Sequence, residues 1–333
     1  MAMAYIYKKK AGTKEYYYLR VSQRKGDRIV AKDVAYLGST LEEARKALDK
    51  LPAKTIRTAY RTITKFLESN TFLEQAKKLK LKQTPYLSRD ILEHVEACRL
   101  HWQKVVQKRD SRTREEQLKN YAIEFTFNTT SIEGNTITLK EAAKLLTEQI
   151  TPKNRTLREI YDIQNTERAF LRLFETPCEL THDSIIQLHQ QLMDKIDPRI
   201  GYRTGDVRVI HARFKATPAS YVRTDMDLLL KWYDDNRQTL HPFVLASVFH
   251  HKFEKIHPFF DGNGRTGRML MNAILLNAHY PPVIIRKKSR PAYLNVLSKA
   301  DAAGLEEKTP STYKPLVEFT ATEYTATYWN NFL

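Results

Sequence analysis

Hydrophobic and polar residues alternate along the first 38 positions of the chain. Three stretches show this period of two, YIYKKK from Tyr5, KEYYYLRVSQ from Lys14 and RIVAKDVAYLG from Arg28, and the segments AGT and RKGD separate them. Alternation is typical of β-strands, and short glycine-containing connections are typical of tight turns. The pattern therefore predicts a small, basic, antiparallel β unit over residues 1–38.

Apolar residues take a helical spacing from Ser39 onwards. The segment STLEEARKALDKL begins with residues that cap helices, and longer helical patterns follow over 56–81 and 88–108, with Pro85 between them. Capping residues and prolines mark where such patterns begin and end. We therefore predict a helical extension, or linker region, over residues 39–112.

Helical spacing also dominates the rest of the chain. One pattern covers 113–131 and stops at the turn Glu133-Gly134-Asn135, and Thr138-Leu139-Lys140-Glu141 then has the form of a capping box. Further helices are predicted over 156–175, 181–195, 224–238 and 241–256. The fold class predicted for the chain is mainly α, with a third unit over residues 113–325.

One strand-like stretch interrupts these helices. It is Val207-Arg208-Val209-Ile210-His211, in which β-branched residues lie close together. With the residues up to about Tyr221 it predicts a β-hairpin flap inside the helical unit. An exposed strand of this kind can pair with an extended peptide through main-chain hydrogen bonds, so we predict that the flap docks a target segment.

The net charge of +17 is the most informative feature of the composition. Such a chain is attracted to polyanions, which include nucleic acid, nucleotide phosphates and acidic partners. No run of about 18 apolar residues is present, and the first residues lack the form of a secretory signal, so no membrane span or export is expected. Cys98 and Cys178 are too far apart for a CxxC site, and we expect a cytoplasmic protein.

Residues His257–Arg268, HPFFDGNGRTGR, lie between two helical patterns and form a short loop that opens a helix. Gly262 and Gly264 allow a tight turn whose N–H groups point inward, and the start of the helix adds its own free N–H groups. Arg265 and Arg268 are three residues apart, so both project from the first turns. A polyphosphate is the ligand that such a loop suits.

Two further side chains of this loop can carry chemistry. Asp261 supplies a hard oxygen ligand beside the predicted phosphate site, where Mg²⁺ is usually held. His257 lies four residues before Asp261, at the end of the preceding helix, and an imidazole can accept a proton near neutral pH. The loop thus combines a candidate base, a candidate metal ligand and phosphate donors.

This string resembles the signature of the Fic family, HxFx(D/E)GNGRxxR, at every defining position, and the resemblance extends from about residue 120 to 320. It implies a Fic-type helical catalytic domain over 113–325 and a protein adenylyltransferase that moves AMP from ATP to a Ser, Thr or Tyr hydroxyl. The implied partners are ATP and a protein substrate with a hydroxyl side chain, for which the chain itself is one candidate. The related Doc-type kinases end this motif in a lysine-containing loop, and that difference favours AMP transfer over phosphate transfer.

The resemblance also implies a role for each motif residue. His257 would be the general base that deprotonates the target hydroxyl, and Asp261 would bind Mg²⁺ between the α- and β-phosphates. Arg265 would hold the β-phosphate side and Arg268 the γ-phosphate. The residues implied to bind ATP are Gly262, Asn263, Gly264, Arg265, Arg268 and, as a candidate for the pocket of the base, Tyr293.

A second motif precedes the first by about 120 residues. Thr129, Glu133 and Gly134 fill the defining positions of a string that resembles the inhibitory motif of the family, [S/T]xxxE[G/N]. The resemblance implies an inhibitory helix over residues 113–134. A carboxylate can pair with a guanidinium in a bidentate manner, so we predict a bidentate ion pair between Glu133 and Arg268 that competes with the γ-phosphate.

Alternative functions stay open at this point. Within the enzyme class, the reverse reaction would remove AMP from a protein, with Glu133 positioning the attacking water. The basic, tyrosine-rich residues 1–38 are compatible with contact with nucleic acid, with a solvated face and with a homo-oligomer formed through the sheet. A nucleic-acid-associated regulator whose Fic core only senses nucleotide would not need a base at His257, which favours the enzyme.

Overall fold

The computed structural model describes residues 3–12, 14–25, 28–52, 57, 59–208 and 215–333. Its strands are β1 (Met3–Ala11), β2 (Lys14–Lys25) and β3 (Arg28–Gly38). Its α-helices are α1 (Leu41–Asp49), α2 (Tyr60–Lys77), α3 (Arg89–Lys104), α4 (Ser111–Ile132), α5 (Leu139–Glu148), α6 (Leu157–Arg172), α7 (His182–Met193), α8 (Val222–Asn236), α9 (Pro242–Ile256), α10 (Asn263–Asn277), α11 (Arg290–Ala300) and α12 (Pro310–Phe332). The predicted mainly α fold with an N-terminal β unit is confirmed.

The N-terminal unit is an antiparallel sheet in the order β1-β2-β3. One face is buried, because Ile6, Leu19 and Leu37 pack against apolar residues of α1 and the first half of α2, among them Ala44 and Ile63. Alternation places the residues between these on the opposite face. The sheet therefore has one covered face and one face without a covering helix among the described residues.

The large core lies between the other helices. Helices α9 and α10 run through its centre, and nearly all their residues are buried, as expected for helices that are surrounded on all sides. Helix α2 contributes to both cores, with Ile63 in the small core and Phe72 in the large one. Helix α3 packs within the large core through Cys98 and Trp102, and the division of the chain at residue 112 stays a prediction.

Local sequence explains where the helices near the motif begin and end. Thr138 and Glu141 form the predicted capping box of α5, and Thr156 and Glu159 form another at the start of α6. Helix α4 ends at the predicted turn, where Gly134 has a φ of 103° that glycine tolerates best. These ends fix where α4 and α6 approach the motif.

The flap lies largely outside what the structure describes. Val207 and Arg208 are described and lie outside strands and helices, whereas Val209, Ile210 and His211 fall outside the described residues. The predicted β-hairpin therefore stays a prediction. Among the described residues, no helix is both long enough and apolar enough to cross a lipid bilayer.

Candidate functional site

The loop between α9 and α10, residues 257–262, is called the motif loop here. Helix α9 ends at His257 in the left-handed conformation, with φ 54° and its N–H donating to the carbonyl of Phe253 at 3.0 Å. Asn263 closes the loop, since its Oδ1 accepts from the N–H of Phe259 at 2.9 Å and its Nδ2 donates to the Phe259 carbonyl at 2.8 Å. Asn263 thus sets the shape of the loop.

Helix α10 begins without a capping side chain from the described residues. Gly262 precedes it with a φ of 78°, and a Cβ there would lie 2.8 Å from the Sδ of Met193, so the position requires glycine. The first N–H groups of a helix need partners and carry partial positive charge. An uncapped start that opens a glycine turn is therefore suited to an anion.

His257 lies at the other end of the same loop. Its Nδ1 lies 3.3 Å from the carbonyl of Glu254, which can only accept, so Nδ1 carries the proton and Nε2 has the free lone pair. Burial lowers the pKa of His257, and the Glu254 carbonyl and nearby carboxylates only partly oppose this. The ring is therefore neutral near pH 7 and can accept a proton at Nε2.

Arg203 fixes the motif loop from outside. Its buried guanidinium donates from Nε to the carbonyl of His257 at 2.8 Å and from Nη1 to the carbonyl of Gly205 at 2.9 Å, and its own N–H donates to the carbonyl of Pro258 at 2.9 Å. A further bond from Nη2 reaches the carbonyl of Thr217. Arg203 thus joins the segments on both sides of the flap to the motif loop.

Asp261 presents a carboxylate at the mouth of the loop. Its Oδ1 accepts from the N–H of Gly262 at 2.6 Å, its Oδ2 contacts the guanidinium of Arg158, and its side chain is 36% exposed. Burial raises the pKa of Asp261, but Arg265, the Gly262 N–H and Arg158 outweigh burial, so the pKa is lowered and the group is ionised.

The donor set at Asp261 fits a magnesium ion that arrives with a nucleotide. Mg²⁺ in nucleotide sites is held by one or two carboxylates, phosphate oxygens and waters. Within the described residues, no three His, Cys, Asp or Glu side chains converge as a metal cluster. Asp261 would supply one ligand, and its present partner Arg158 is 60% exposed and free to withdraw into solvent.

Arg265 lies beneath the first turn of α10 and is buried. Its Nη1 contacts the carboxylate of Asp162, and its Nη2 lies 3.4 Å from the Sδ of Met193. Asp162 also accepts from the Nδ2 of Asn135 at 3.1 Å, which links Arg265 to the turn after α4. The described partners of Arg265 leave its Nε unpaired.

Arg268 is buried and is held by the end of α4. Its Nε donates to Thr129 Oγ1 at 2.7 Å, and its Nη2 donates to the Thr129 carbonyl at 3.0 Å and to Glu133 Oε1 at 2.7 Å. Burial lowers the pKa of Arg268, but the adjacent Glu133 outweighs it and raises the pKa. The ion pair joins a single carboxylate oxygen to Arg268, so the predicted bidentate geometry is wrong, because Thr129 takes Nε and also accepts from Nη2.

Glu133 approaches the start of α10 closely. A Cβ on Gly264 would lie 2.1 Å from Glu133 Oε1 and 3.0 Å from Arg268 Nη1, so the carboxylate lies directly against the helix backbone. Glu133 is the residue that ends α4, and its side chain is 39% exposed. Four residues predicted from sequence thus lie next to one another at the start of α10, namely Thr129, Glu133, Gly264 and Arg268.

Tyr293 lies behind the motif rather than at its mouth. It is buried, its hydroxyl lies 2.5 Å from His250 Nε2, and its ring stacks on that imidazole with 6.0 Å between centroids. Next to this pair, Glu254 Oε1 is buried without a hydrogen bond among the described residues, 3.8 Å from His250 Nδ1. Tyr293 is therefore part of the buried core behind the motif, and its role in the pocket of the base stays a prediction.

Burial favours the neutral forms of Glu254, His250 and His189. Burial raises the pKa of Glu254 to about 8, against the opposing effect of Arg268, and burial lowers the pKa of His250 to about 3. Burial also lowers the pKa of His189 to about 4. His189 stacks on Phe259 with 3.6 Å between centroids, and its Nε2 lies 2.9 Å from the carbonyl of Asp261.

Sequence reasoning missed the residues that hold the motif from other helices, namely Arg158, Asp162, His189 and Glu254. Arg158 and Asp162 lie four residues apart on α6, so they share a face. Opposite charges at this spacing predict a pair with each other, whereas the structure pairs Arg158 with Asp261 and Asp162 with Arg265. Glu159 and Asn165 of the same helix also bond to neighbouring segments.

The solved structures that resemble this chain include Fic proteins. A Fic domain containing signalling protein from Bacteroides thetaiotaomicron has a TM-score of 0.64 and 24% identity, and the match covers 70% of this chain and 93% of that one. Fic-1 from Caenorhabditis elegans has a TM-score of 0.59 and 23% identity, and the match covers 88% of this chain and 82% of that one. The fold is therefore the Fic fold.

The sequence matches point to the same group. Residues 179–275 match the Fic/DOC family. Protein adenylyltransferase fic-1 of Caenorhabditis elegans is 29% identical over 187 residues, 54% of this chain and 37% of that protein. Protein adenylyltransferase Fic of Drosophila erecta is 32% identical over 205 residues, 59% of this chain and 39% of that protein. The chain spans about two fifths of the length of these curated relatives.

Proposed function

We propose that this protein is an adenylyltransferase that moves AMP from Mg-ATP to a Ser, Thr or Tyr hydroxyl of a protein. The observation that carries the proposal is the motif loop, which joins a neutral His257 at one end to the uncapped start of α10 at the other. Arg265 and Arg268 are buried beside that start. The relatives named protein adenylyltransferase support the same activity.

The phosphates would bind at the start of α10. The free N–H groups after Gly262 would donate to phosphate oxygens, while Asn263 keeps the loop in the shape that aims them. Arg265 and Arg268 would neutralise the β- and γ-phosphates. A bound Mg²⁺, with Asp261 as one ligand, would supply charge stabilisation between the α- and β-phosphates.

His257 would act on the target hydroxyl. Its Nε2 takes the hydroxyl proton as the hydroxyl oxygen bonds to the α-phosphorus, and the bond from the α-phosphorus to the bridging oxygen breaks. AMP is then attached to the protein and pyrophosphate leaves. We further propose that the flap, Val207 to His211, aligns the target segment, and that Arg203 keeps the base of the flap in register with His257.

Glu133 would restrain this reaction. Its Oε1 holds Nη2 of Arg268, and it lies against Gly264, where the γ-phosphate would approach. A carboxylate and a phosphate cannot share this space without strong repulsion. ATP would therefore bind with its α-phosphate turned away from the hydroxyl until Glu133 moves.

The direct test uses the full chain with protein from a cell lysate and ATP labelled either at the α- or at the γ-phosphate. We expect label on protein from α-labelled ATP alone, lost on chelation of Mg²⁺ and absent with His257→Ala. Label from γ-labelled ATP would indicate a kinase instead. No label with either the wild type or Glu133→Gly would contradict the proposed transfer.

A second candidate function is removal of AMP from a modified protein. The observation that favours it is that Glu133 remains 39% exposed and uses one carboxylate oxygen for Arg268, so the other can orient a water. The two functions respond oppositely to Glu133→Gly, which should raise transfer and abolish removal. Release of AMP from a pre-modified protein, measured for the wild type and this variant, separates them.

A further inference from the structure

The face of the N-terminal sheet opposite α1 and α2 carries a row of tyrosines. Tyr7, Tyr18 and Tyr36 stand opposite one another on β1, β2 and β3, and Tyr16 neighbours them on β2. The ring centroids of Tyr18 and Tyr36 are 5.3 Å apart, and those of Tyr16 and Tyr36 are 6.4 Å apart. Tyr36 is 56% exposed. We call these four residues the tyrosine face.

Cations lie among these rings. The guanidinium of Arg20 is 3.6 Å from the ring centroid of Tyr7, and Asp33 holds it there through bonds of 2.6 and 3.2 Å. Lys9 is exposed and stands opposite Tyr16. Residues 1–38 contain nine Lys and Arg against three Asp and Glu, so the surroundings of the rings are strongly positive.

Folding of the unit does not account for this face. Its core is complete on the other side, where Tyr17, Leu19 and Leu37 are buried against the helices. Tyr36 is exposed and the other three rings are half-buried. Aromatic residues that cluster at a surface commonly mark a binding site. A second copy of the same face is a poor occupant, because it would bring two positive surfaces together.

The chemistry of the face selects one kind of polyanion. Aromatic rings bind bases by stacking, and this requires base faces that are open, as in a single strand. In a duplex the base faces are covered by their neighbours, so only the cations would find partners. Rings on adjacent strands, together with Arg20 and Lys9, offer stacking and phosphate contacts side by side.

We propose that the tyrosine face, with Arg20 and Lys9, binds single-stranded nucleic acid. Bases stack on Tyr18 and Tyr36 while the cations contact phosphates, so binding depends on both rings and salt. The site lies on β1–β3, apart from the motif loop on α9 and α10, and it does not rest on the proposed transferase activity. The Fic domain would thereby be brought to RNA or to exposed DNA strands.

The test measures binding of the full chain to a fluorescein-labelled oligothymidylate of about 20 nucleotides by fluorescence anisotropy. We expect Tyr36→Ala to weaken binding about 5- to 100-fold, with Tyr36→Phe close to wild type because the ring remains. The matched control is Tyr60→Ala, which removes a 65% exposed tyrosine from α2. Lys9→Ala should reduce the salt slope of log affinity by about 0.7.

Several results would overturn the proposal. They are no binding at low salt, an equal loss with Tyr60→Ala, or a duplex of the same length bound as tightly and without dependence on Tyr36. Thermal unfolding of each variant identifies any loss that comes from misfolding, and Tyr36→Phe keeps the test valid in that case. If the wild type sediments as a dimer and Tyr36→Ala sediments as a monomer, the face binds a second copy of the chain instead.

Discussion

The motif region and the N-terminal sheet use the same residue types in opposite ways. Around the motif, Arg265 and Arg268 are buried, each held by a carboxylate from another helix. On the sheet, Arg20 pairs with Asp33 at the surface, beside the exposed Tyr36 and the half-buried Tyr18. Burying the charges of the motif region costs desolvation free energy and fixes one geometry. The surface groups of the sheet cost little to desolvate, and stacking on their rings would tolerate any base sequence.

This difference suggests how each region responds to change. Buried charges of the motif region depend on one another. Removal of one partner leaves the other either available to a ligand or buried without a counter-charge. Exposed groups of the sheet act nearly independently, because water replaces lost contacts. Substitutions in the motif region should therefore have large and coupled effects, and those in the sheet should have small and additive ones.

The largest effect is expected from His257→Ala. The variant lacks the group that accepts the hydroxyl proton, so transfer of AMP should fall about 10²- to 10⁴-fold. Binding of ATP should change little, because His257 is not among the phosphate donors. The measurement is the rate of labelling from α-labelled ATP, with ATP affinity measured separately.

A matched control for this variant is His94→Ala, which removes a histidine that is 42% exposed on α3. It should transfer AMP at the wild-type rate. Wild-type rates for His257→Ala itself would remove this residue from the mechanism. A fall in both variants would point to a general loss of folded protein.

A smaller effect in the opposite direction is expected from Glu133→Gly. Without the carboxylate, Arg268 loses its present partner and can bind a γ-phosphate, so transfer should rise by about 5- to 150-fold, the usual range of coupling between two sites. Glu133→Gln keeps the oxygen acceptor but loses the charge, so its rate should lie between the two. Rates are compared at saturating ATP and equal amounts of folded protein.

The comparison of Glu133→Gly with the wild type tests whether Glu133 is inhibitory. If Glu133→Gly transfers AMP at or below the wild-type rate while folding and ATP binding are intact, Glu133 does not restrain the enzyme. The apo variant should also unfold more easily, because the buried guanidinium of Arg268 then lacks the Glu133 carboxylate that it pairs with. Added ATP should restore this stability.

The two regions also differ in how far sequence could predict them. His257, Asp261, Arg265 and Arg268 are close in the chain, so a local motif brings them together whatever the rest of the fold. Alternation likewise assigned the strands, and it separates buried Tyr17 from Tyr16 and Tyr18 on the other face. Both successes depend on interactions over a few residues.

Contacts between residues far apart in the chain could not be predicted from the sequence. Asp162 is 103 positions from Arg265, and no periodic pattern links them. The geometry at Arg268 was wrong for the same reason, since Thr129 takes donors that Glu133 was expected to share. The placement of Tyr293 in the core depends on α11 packing beside α12 and on His250 of α9, which a single sequence does not specify.

A third prediction concerns pH and stability. The pKa of Glu254 is raised by burial from 4.5 to about 8, so between these values the unfolded chain is ionised there while the folded protein binds a proton. This group therefore makes stability fall as pH rises from about 4.5 to about 8. Glu254→Gln cannot ionise, so at pH 8 it should be more stable than the wild type by on the order of 4 kcal/mol.

Urea unfolding at pH 5 and pH 8 measures this difference. At pH 5 both folded proteins are neutral at this position and the unfolded wild type is only just past its pKa of 4.5, so the two free energies of unfolding should be close. Glu148→Gln, at an exposed position near the end of α5, should show the same pH dependence as the wild type. Equal pH dependence for Glu254→Gln would mean that Glu254 is ionised in the folded protein.

The smallest effects come from a matched pair of hydroxyl deletions, one in each region. Tyr293→Phe removes the buried hydroxyl next to His250 and leaves Nε2 without that partner, so it should destabilise the protein by about 1–2 kcal/mol. Tyr36→Phe removes an exposed hydroxyl that water replaces, so its effect should stay within about 0.5 kcal/mol. Free energies of unfolding in urea test both, and similar values would mean that the motif region is no more dependent on buried contacts than the sheet. Transfer of AMP should be unchanged in Tyr36→Phe, because the tyrosine face does not contact the motif loop.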